Sequence, residues 1–536
     1  MNTLYYGDNL EILREYIPDE SVDLIYLDPP FNSKRAYNQI FKDKEGKYPP
    51  SQIKAFDDTW TWSPETERAL DELKKTEYPA QLYRTLKAFE TAMGTTDMMA
   101  YLVMMGIRLC ELKRVLKNTG SIYLHCDPTA SHYLKIIMDQ IFGVKNYKNE
   151  FVWKRSSAHS DAKQGSRQAG RIHDIIFFYA KSDDWKWNVI HTNYNDEYID
   201  SNYNHIEKET GRKFKSTDLT AAKPGGDTSY EWKGKKPPKG RFWAYSKSNM
   251  ELFDSEGRIY YSKTGIPRLK QYLDEMQGIT LQDLWNDLPP ITSHSSERLG
   301  YPTQKPVELL ERIIKASSNE GDIVLDPFCG CGTTIAAAEK LNRKWIGIDI
   351  TILAINLIEK RIKEHFPDAK YEEIGKPKDF ESAKKLTEQS KFLFEQWFVT
   401  ELGGQPFKSS GGGDMGIDGF MYFKDNDGKD HTIILSVKGG SYNPSMIRDL
   451  KGVVERENAA IGLLLALNEP TDGMKKEAAT AGLFQMPDTQ RTYPKIQIFT
   501  VGDFFDNRRP NIPDVSDTLK KAKREIRESE KKTKLL

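Results

Sequence analysis

Short apolar runs alternate with helical periodicity over about the first 150 residues. Strands are predicted at Leu4–Tyr6, Val22–Leu27 and Ser121–Cys126. Helices are predicted at Asn9–Tyr16, at Asp97–Leu116, and from Asp127–Pro128 to about Phe142. Asp8 immediately precedes the first helix and can cap it. Strands and helices in this order favour a mostly parallel sheet with helices on both faces.

The alternation fades over 154–299, a segment rich in Trp, Tyr, Lys, Gly and Pro. It then resumes, with helices predicted at Lys305–Ser317, Thr333–Leu341 and Leu353–Phe366 and strands at Ile323–Leu325 and Trp345–Ile348. A polar stretch around Gly375 indicates a linker, and a further α/β pattern follows it. The tail from Lys520 onwards is almost purely charged.

Composition limits the class of protein. The 536 residues are 38% hydrophobic and 11% aromatic, enough for several packed domains. The 78 basic residues balance 78 acidic ones, so nucleic-acid binding would depend on local segregation of charge. Four cysteines are too few for a disulfide framework. No apolar run approaches the ~20 residues of a membrane helix. We therefore expect a soluble, reduced, cytoplasmic protein.

Three predicted strands end in carboxylates. Val22–Leu27 runs into Asp28-Pro29-Pro30-Phe31, and Ile323–Leu325 runs into Asp326 and the turn Gly330-Cys331-Gly332-Thr333. Trp345–Ile348 ends at Asp349. Ligands of open parallel sheets bind beyond such strand ends. The glycine spacing matches neither a pyrophosphate-binding nor a phosphate-loop motif, so a nucleoside cofactor without phosphates fits better.

These motifs resemble those of the amino-group DNA methyltransferases. Asp28–Phe31 matches their catalytic motif, Asp326–Gly332 their cofactor loop, and Tyr301–Pro306 a further cofactor motif. Ser121–Asp127 matches another typical stretch. The catalytic motif precedes the cofactor loop, which is the permuted order of the β group of that family. The resemblance covers roughly residues 1–365.

The resemblance implies a cofactor, S-adenosyl-L-methionine, and a target base flipped out of duplex DNA. The catalytic residues would be Asp28, Pro29, Pro30 and Phe31. The Asp28 carboxylate and the Pro29 carbonyl would accept the hydrogens of an exocyclic amine, while Phe31 stacks on the base. The cofactor-binding residues would be Asp8, Thr303, Lys305, Asp326, Phe328, Gly330, Gly332, Thr333 and Asp349.

Alternatives accompany several of these assignments. Asp28, where cytosine-N4 enzymes usually carry Ser, favours adenine N6, and cytosine N4 stays open. Cys329 and Cys331 favour close packing over metal binding, because no second Cys/His pair lies nearby. His125 is best explained as a residue at a strand end.

A basic segment lies inside the irregular region. Residues 211–247 carry ten Lys or Arg against three acidic residues, interleaved with Trp232, Phe242, Trp243 and Tyr245. Basic side chains hold phosphates, and aromatic ones can stack or pack. The family's target-recognition region lies here, and double-stranded DNA is the implied partner. A solvated basic loop is the alternative. The candidate DNA contacts are Lys233, Lys235, Lys236, Lys239 and Arg241.

In the last α/β unit, Asp418 lies near a predicted strand start, and a later strand ends in Ser436-Val437-Lys438. This arrangement resembles restriction-endonuclease-like domains, in particular the Mrr-type branch. In such a frame Asp418 and the carbonyl of Val437 would bind Mg²⁺, Lys438 would orient water, and Glu395 could complete the site. Ser436 replaces the usual carboxylate. An active nuclease and a silent or DNA-binding domain both stay open.

The sequence thus predicts an α/β protein: a doubly wound, Rossmann-like methyltransferase sheet with an inserted target-recognition region, followed by an α/β endonuclease-like domain. The segments are 1–153 (catalytic part), 154–299 (target recognition), 300–370 (cofactor-binding part), 371–390 (linker), 391–508 (endonuclease-like domain) and 509–536 (charged tail). We expect an adenine-N6 DNA methyltransferase that, if both domains are active, is a single-chain restriction–modification protein, associated with the nucleoid and not with a membrane. A non-catalytic DNA-binding regulator is the rival.

Overall fold

The computed structural model describes residues 1–30, 36–39, 53–57, 60–156, 169–292, 295, 297–299, 303–407, 416–425, 429–487 and 491–513, with backbone only for 36–39 and 53–57. The chain forms two compact units, one of residues 1–188 together with 283–536 and one of residues 189–282. In the described ranges, no helix combines the length and the apolar character that crossing a bilayer requires.

The elements up to residue 282 are β1 (Asn2–Tyr6), α1 (Asn9–Tyr16), β2 (Val22–Leu27), β3 (Ala36–Gln39), β4 (Ile53–Asp57), α2 (Pro64–Glu72), α3 (Ala80–Met93), α4 (Asp97–Val115), β5 (Leu116–Cys126), α5 (Ser131–Phe142), β6 (Tyr147–Lys154), β7 (His173–Ala180), β8 (His191–Thr192), α6 (Asp196–Asn202), β9 (His205–Ile206), β10 (Lys213–Asp218), β11 (Thr220–Ala221), β12 (Phe242–Trp243), α7 (Lys247–Ser255), β13 (Ile259–Tyr261), β14 (Pro267–Tyr272) and β15 (Ile279–Thr280).

The elements from residue 283 onwards are β16 (Leu284–Trp285), α8 (Val307–Ser317), β17 (Ile323–Asp326), α9 (Thr333–Lys340), β18 (Lys344–Asp349), α10 (Ile352–His365), β19 (Tyr371–Ile374), α11 (Phe380–Gln389), α12 (Lys391–Glu401), β20 (Gln405–Pro406), β21 (Gly419–Lys424), β22 (Asp430–Lys438), α13 (Ser445–Arg456), β23 (Ile461–Ala466), α14 (Asp472–Ala479), β24 (Leu483–Gln485), β25 (Thr492–Pro494), β26 (Ile496–Thr500) and α15 (Val501–Phe505).

A nine-stranded sheet organises the larger unit, in the order β16-β6-β7-β5-β2-β17-β18-β1-β19. The strands from β5 to β19 in this order pair in parallel, and β7 runs antiparallel to both of its neighbours. Every residue of β2 is buried, as expected for a central parallel strand. The predicted mostly parallel α/β sheet is therefore confirmed.

Two helices begin later than predicted. The carboxylate of Asp127 accepts a hydrogen bond from the backbone N–H of Thr129 at 3.0 Å, which closes a turn, and α5 starts only at Ser131. Similarly, α8 begins at Val307, because Pro306 has extended backbone and acts as the N-cap. Asp8 caps α1 as predicted, and its side chain accepts from the N–H of Leu10 at 2.7 Å.

Two predicted segment boundaries need correction. The stretch 371–390 is no simple linker: β19 pairs in parallel with β1 and adds an edge strand to the large sheet, and α11 follows. Within 154–299, β7 and β16 also belong to that sheet, so the separate compact unit is the narrower range 189–282. The apolar sequence of β7 pairs with β5 over six residues, a long-range partnership that the chain pattern did not reveal.

The smaller unit contains a four-stranded sheet in the order β13-β14-β10-β9 and two short strand pairs, β11 with β12 and β15 with β8. Its core includes Trp232 and Trp243, which pack with the buried side chains of Leu219 and Met250. These two tryptophans are structural, so they are not free to stack on nucleic-acid bases.

The C-terminal part of the larger unit contains a five-stranded sheet in the order β20-β21-β22-β23-β26. The predicted hairpin is present, since β21 and β22 pair antiparallel, and β23 and β26 continue the sheet in parallel. The hydroxyl of Tyr6 on β1 donates a buried 2.8 Å hydrogen bond to the carbonyl of Leu393 on α12. This bond joins the large sheet directly to the C-terminal part. The charged tail from residue 514 lies outside the described residues.

Candidate active site

Three carboxylates lie at the carboxyl ends of three adjacent strands. Asp28 directly follows β2, Asp326 ends β17 and Asp349 ends β18, and these strands are neighbours in the sheet. The structure therefore brings together the three predicted strand ends. Ligands of open α/β sheets bind beyond this edge.

Asp326 is the buried member of this group, with 3% of its surface exposed. Its carboxylate accepts hydrogen bonds from the Thr334 hydroxyl at 2.5 Å and from the backbone N–H of Phe328 at 3.0 Å. Burial raises the pKa of Asp326 to about 7; the two hydrogen bonds oppose this shift, and the charges of Asp28 and Asp349 add to it. Such mutual repulsion makes the edge favourable for a cation and unfavourable for a phosphate.

The glycine turn takes a backbone shape that other residues resist. Gly330 and Gly332 have φ of +49° and +73°. A Cβ on Gly332 would also lie 2.7 Å from Cγ1 of Ile358. Asp349 accepts the backbone N–H of Gly330 at 2.8 Å, and the N–H and hydroxyl of Thr351 at 2.8 and 2.7 Å. Asp349 therefore holds the turn in place, and burial raises its pKa.

Asp8 lies at the start of α1, next to a residue that contacts the loop carrying the glycine turn. The buried guanidinium of Arg108 donates to both carboxylate oxygens of Asp8, at 3.0 and 3.1 Å, and to Oδ1 of Asn9 at 2.6 Å. The amide of Asn9 donates to the carbonyl of Pro327 at 2.8 Å. The sequence reasoning missed Asn9 and Arg108. The sequence signal that could have revealed this contact was an arginine within the otherwise apolar middle of α4.

Lys305 and Asp28 form an ion pair between the catalytic motif and the motif at 301–306. Both side chains are largely enclosed, with 10% and 15% of their surface exposed. The ammonium group also lies 3.4 Å from the carbonyl oxygen of Thr303, whose φ is +63°. Lys305 thus contacts Asp28 itself, and the cofactor-binding roles of Thr303 and Lys305 stay predictions.

Of the catalytic motif, Pro29 is buried and Pro30 is half-buried at the end of β2. Phe31 lies outside the described residues, as do Tyr301 and Pro302. The proposed stacking of Phe31 on a base accordingly stays a prediction.

A hydrogen-bonded chain of buried side chains begins at Tyr26 on β2, two residues before Asp28. The Tyr26 hydroxyl contacts Nδ1 of His125 at 2.8 Å, and Nε2 of His125 contacts Asp174 at 3.2 Å. Arg155 lies 3.1 Å from the other oxygen of Asp174. Burial opposes ionisation of Asp174, but His125, Lys305 and Arg155 outweigh it and lower its pKa. His125 thus links two strands of the sheet rather than merely ending one.

The remaining predicted cofactor residues frame the turn. Phe328 is half-buried and packs on the large core, and Thr333 is buried at the start of α9. The guanidinium of Arg361 donates to the carbonyl of Cys331 at 3.1 Å and lies 3.4 Å from the Thr333 hydroxyl. Cys329 and Cys331 are buried, which raises the pKa of each thiol.

In the smaller unit, all five candidate DNA contacts are exposed: Lys233, Lys235, Lys236, Lys239 and Arg241. Lys233 forms an ion pair with Asp254, and Arg241 pairs with Asp218 at 3.1 Å and donates to the Thr220 hydroxyl at 2.5 Å. The other three form no ion pair with any residue that the structure describes. They are therefore the ones available to phosphates.

In the C-terminal part, Asp418 is buried next to the end of β22. One of its oxygens accepts the backbone N–H of Val437 at 2.6 Å and the Ser436 hydroxyl at 3.3 Å, and lies 3.6 Å from the ammonium of Lys438. Glu395 is half-buried on α12. No group of three or more His, Cys, Asp or Glu suited to a metal ion occurs among the described residues.

Comparison with known proteins identifies the family. Residues 22–360 match the model of the N6/N4 family described as DNA methylase, and the chain belongs to this family. Residues 390–506 match a model described as NACHT-associated inactive Restriction Endonuclease 1. The C-terminal part is thus similar to a restriction-endonuclease family whose description calls it inactive, and the assignment to the Mrr-type branch stays a prediction.

Two curated relatives are similar to the methylase part. The Type II methyltransferase M.EcaI of Enterobacter cloacae is 30% identical over 364 residues, which cover 67% of this chain and 69% of that protein. The Type III restriction–modification enzyme StyLTI Mod subunit of Salmonella typhimurium is 27% identical over 360 residues, 64% of this chain. The chain spans 50% of the length of that subunit.

Solved structures give matches of lower similarity. The PvuII DNA methyltransferase, described as cytosine-N4-specific, matches with 14% identity and a TM-score of 0.34, over 70% of this chain and 95% of its own. The M1.HpyAVI–SAM complex matches with 15% identity and a TM-score of 0.30, over 67% of this chain and 100% of its own.

Proposed function

We propose that this protein transfers a methyl group from S-adenosylmethionine to the exocyclic N6 of adenine in duplex DNA. The observation that carries the proposal is the Asp28-Pro29-Pro30 corner, which ends a strand adjacent to the one that delivers the glycine turn. Membership of the DNA methylase family over 22–360 supports methyl transfer to DNA.

The residues at the strand ends fit this cofactor. Asp349, which ends β18 and accepts the backbone N–H of Gly330, would hold a ribose hydroxyl. The carboxylates Asp28, Asp326 and Asp349 attract positive charge. S-Adenosylmethionine supplies a methyl group bonded to a positively charged sulfur. Asp8, Phe328, Gly330 and Gly332 would form the remaining walls of its site.

Asp28 and Pro29 would activate the target. An exocyclic amine is a poor nucleophile because its lone pair is delocalised into the ring. The Asp28 carboxylate and the Pro29 carbonyl would each accept a hydrogen bond from one of its two N–H groups. These hydrogen bonds favour a pyramidal nitrogen and place the lone pair for in-line attack. Asp28 would then be the nearest base for the proton that the methylated amine releases.

Asp28 in the first position of the motif favours adenine N6 over cytosine N4. The test is incubation of the protein with duplex DNA and methyl-labelled S-adenosylmethionine, followed by nucleoside analysis. We expect label in N6-methyladenine, and none with Asp28→Ala, which should still bind the cofactor. Label in N4-methylcytosine would overturn the adenine assignment, and no label would favour the non-catalytic regulator.

The smaller unit would hold the DNA. Lys235, Lys236 and Lys239 are exposed and would contact phosphates, which makes affinity strongly dependent on salt. Replacing these three by Gln should weaken DNA binding at every sequence to a similar extent, because phosphate contacts do not read bases. Binding that is weakened only at one sequence would assign them a base-reading role instead.

For the C-terminal part, we propose that it does not cleave DNA. Ser436 supplies a hydroxyl donor to Asp418 where a second carboxylate would serve a metal ion. Mg²⁺ prefers an octahedral shell of oxygens, whereas the described residues include no group of three or more His, Cys, Asp or Glu suited to a metal ion, and Asp418 lies beside an ammonium group. Incubation of unmethylated plasmid with Mg²⁺ or Mn²⁺ should leave it intact. Cleavage that is lost in Asp418→Ala or Lys438→Ala would instead establish an active nuclease and a single-chain restriction–modification protein.

A further inference from the structure

Three buried polar side chains from three strands of the large sheet meet near the end of β2. Tyr26 on β2, His125 on β5 and Asp174 on β7 are 2%, 0% and 1% exposed. The Tyr26 hydroxyl lies 2.8 Å from Nδ1 of His125, and Nε2 of His125 lies 3.2 Å from Oδ2 of Asp174. Burying such groups costs free energy that apolar side chains in the same places would not cost. Packing of the sheet alone therefore does not account for them.

The contacts of His125 fix both the orientation of its ring and the direction of its hydrogen bonds. The rings of Tyr26 and Trp153 lie nearly perpendicular to it, with centroids at 6.2 and 5.7 Å. Burial opposes ionisation of Asp174, but its hydrogen bond with His125 and the neighbouring positive charges lower its pKa. An ionised Asp174 accepts the hydrogen on Nε2, and a neutral imidazole then presents Nδ1 to the Tyr26 hydroxyl. The chain of donors thus runs in one direction, from Tyr26 to Asp174.

The corner that carries Asp28 lies just beyond the last residue pairs of β2. That strand pairs with β17 as far as Ile25 and with β5 as far as Leu27. The two residues after Asp28 are prolines, which have no N–H to donate to a neighbouring strand. Because Leu27 pairs with Leu124, the register continued by one residue brings Asp28 beside His125. Backbone pairing therefore ends where the corner begins, and the buried side chains meet at that point.

We propose that His125 is a positioning residue for Asp28. Held between the Tyr26 hydroxyl and the Asp174 carboxylate, its ring fixes the end of β2. Asp28 and the Pro29 carbonyl follow directly and thereby keep the spacing that the two N–H groups of the target amine require. This inference rests on the proposed function. A misplacement of about 1 Å can slow a reaction about a hundredfold, so loss of the chain should lower kcat and leave ligand affinities unchanged.

Tyr26→Phe tests the chain with the smallest change, since it removes one hydroxyl and keeps the ring. With saturating methyl-labelled S-adenosylmethionine, we expect kcat to fall about tenfold or more. The Kd for S-adenosylhomocysteine and the KM for duplex DNA should stay as in wild type. Tyr179→Phe is the matched control: Tyr179 is also buried and its hydroxyl donates to Asp139 at 2.7 Å, but it lies near the opposite end of β7 from Asp174. The control should keep the kcat of wild type.

Asp174 offers a conservative variant that should restore function. Asp174→Asn keeps an oxygen that accepts the Nε2 hydrogen, and it should retain more of kcat than Asp174→Leu, which keeps none. In a His125→Leu background, Tyr26→Phe should cause no further loss of kcat, because the hydroxyl has already lost its partner. Circular dichroism establishes that each variant is folded, so that kcat refers to folded protein.

The assignment of His125 is overturned if Tyr26→Phe keeps the kcat of wild type, or if Tyr179→Phe loses as much. It is also overturned if Asp174→Asn is as impaired as Asp174→Leu, or if the fall in kcat comes with an equal loss of cofactor affinity. Wild-type protein that transfers no methyl group would overturn the proposed function itself, a distinct result that removes the assignment with it.

Discussion

The amide of Asn9 donates a 2.8 Å hydrogen bond to the carbonyl of Pro327, and Arg108 in turn donates to Asn9 at 2.6 Å. This contact joins the start of α1 to the glycine loop, 318 residues further along the chain. The first residue of α1 is thereby fixed against the loop proposed to hold the cofactor.

Asn9→Ala should destabilise the protein and loosen this loop. Because it leaves the buried Arg108 donor and the Pro327 carbonyl without a partner, we expect a loss of about 1–3 kcal/mol in the free energy of unfolding. Cofactor affinity should fall as well. Denaturant unfolding and calorimetry measure the two effects, with Asn195→Ala in the smaller unit as a control, since it removes a helix cap remote in sequence from the loop. Unchanged cofactor affinity in a destabilised variant would limit Asn9 to a structural role.

Gly332→Ala should cost more stability than its backbone angle alone explains. Its φ of +73° and ψ of +34° lie in the left-handed region, and a Cβ on Gly332 would also meet Cγ1 of Ile358 at 2.7 Å. Left-handed backbone costs a non-glycine residue about 1–2 kcal/mol. We expect Gly332→Ala to lose clearly more than that by denaturant unfolding. A loss of only that amount would show that the helix carrying Ile358 adjusts freely to the added methyl group.

Asp326 should make stability decline as pH rises. Its pKa is about 7 in the folded protein, against about 4 when unfolded. Between these values the folded state retains a proton that the unfolded state has lost, so stability falls from about pH 4 to about pH 7 and is flat above. Asp326→Asn should remove a decline on the order of a few kcal/mol. A pH profile of unfolding identical to that of wild type would contradict the raised pKa, and the exposed Asp430→Asn serves as control.

Tyr6→Phe should weaken the attachment of α12 to the large sheet. It removes the buried hydrogen bond to the Leu393 carbonyl, and we expect a loss of about 1–2 kcal/mol in the free energy of unfolding. Tyr16→Phe, on an exposed side chain, should change it little. If both variants unfold like wild type, the Tyr6 hydroxyl does not contribute to the attachment.

Local patterns predicted those parts of the fold whose partners are near in sequence. The apolar run of β2 and the prolines after it indicated a strand that leaves the sheet at Asp28, and the glycine turn before α9 was equally predictable. Strands that join the sheet through partners distant in sequence could not be predicted in this way. β7 looked like part of an irregular insertion, and β19 looked like a linker, because each is recognisable only from its pairing with β5 or β1.

The same distinction applies to the candidate site. Residue type and position after a strand indicated Asp28, Asp326 and Asp349. The contacts that organise them, Lys305 with Asp28 and Asn9 with Pro327, close loops of about 300 residues. Such pairings depend on the tertiary fold, and a single sequence carries no local signal for them.

Modified-base sequencing of DNA from a bacterial host without methyltransferases of its own tests the central claim most directly. Expression of the wild-type protein should produce N6-methyladenine at one short recurring sequence, and expression of Asp28→Ala should produce none. Genomic DNA from the wild-type culture with no modified base above the level of the Asp28→Ala culture would contradict the account.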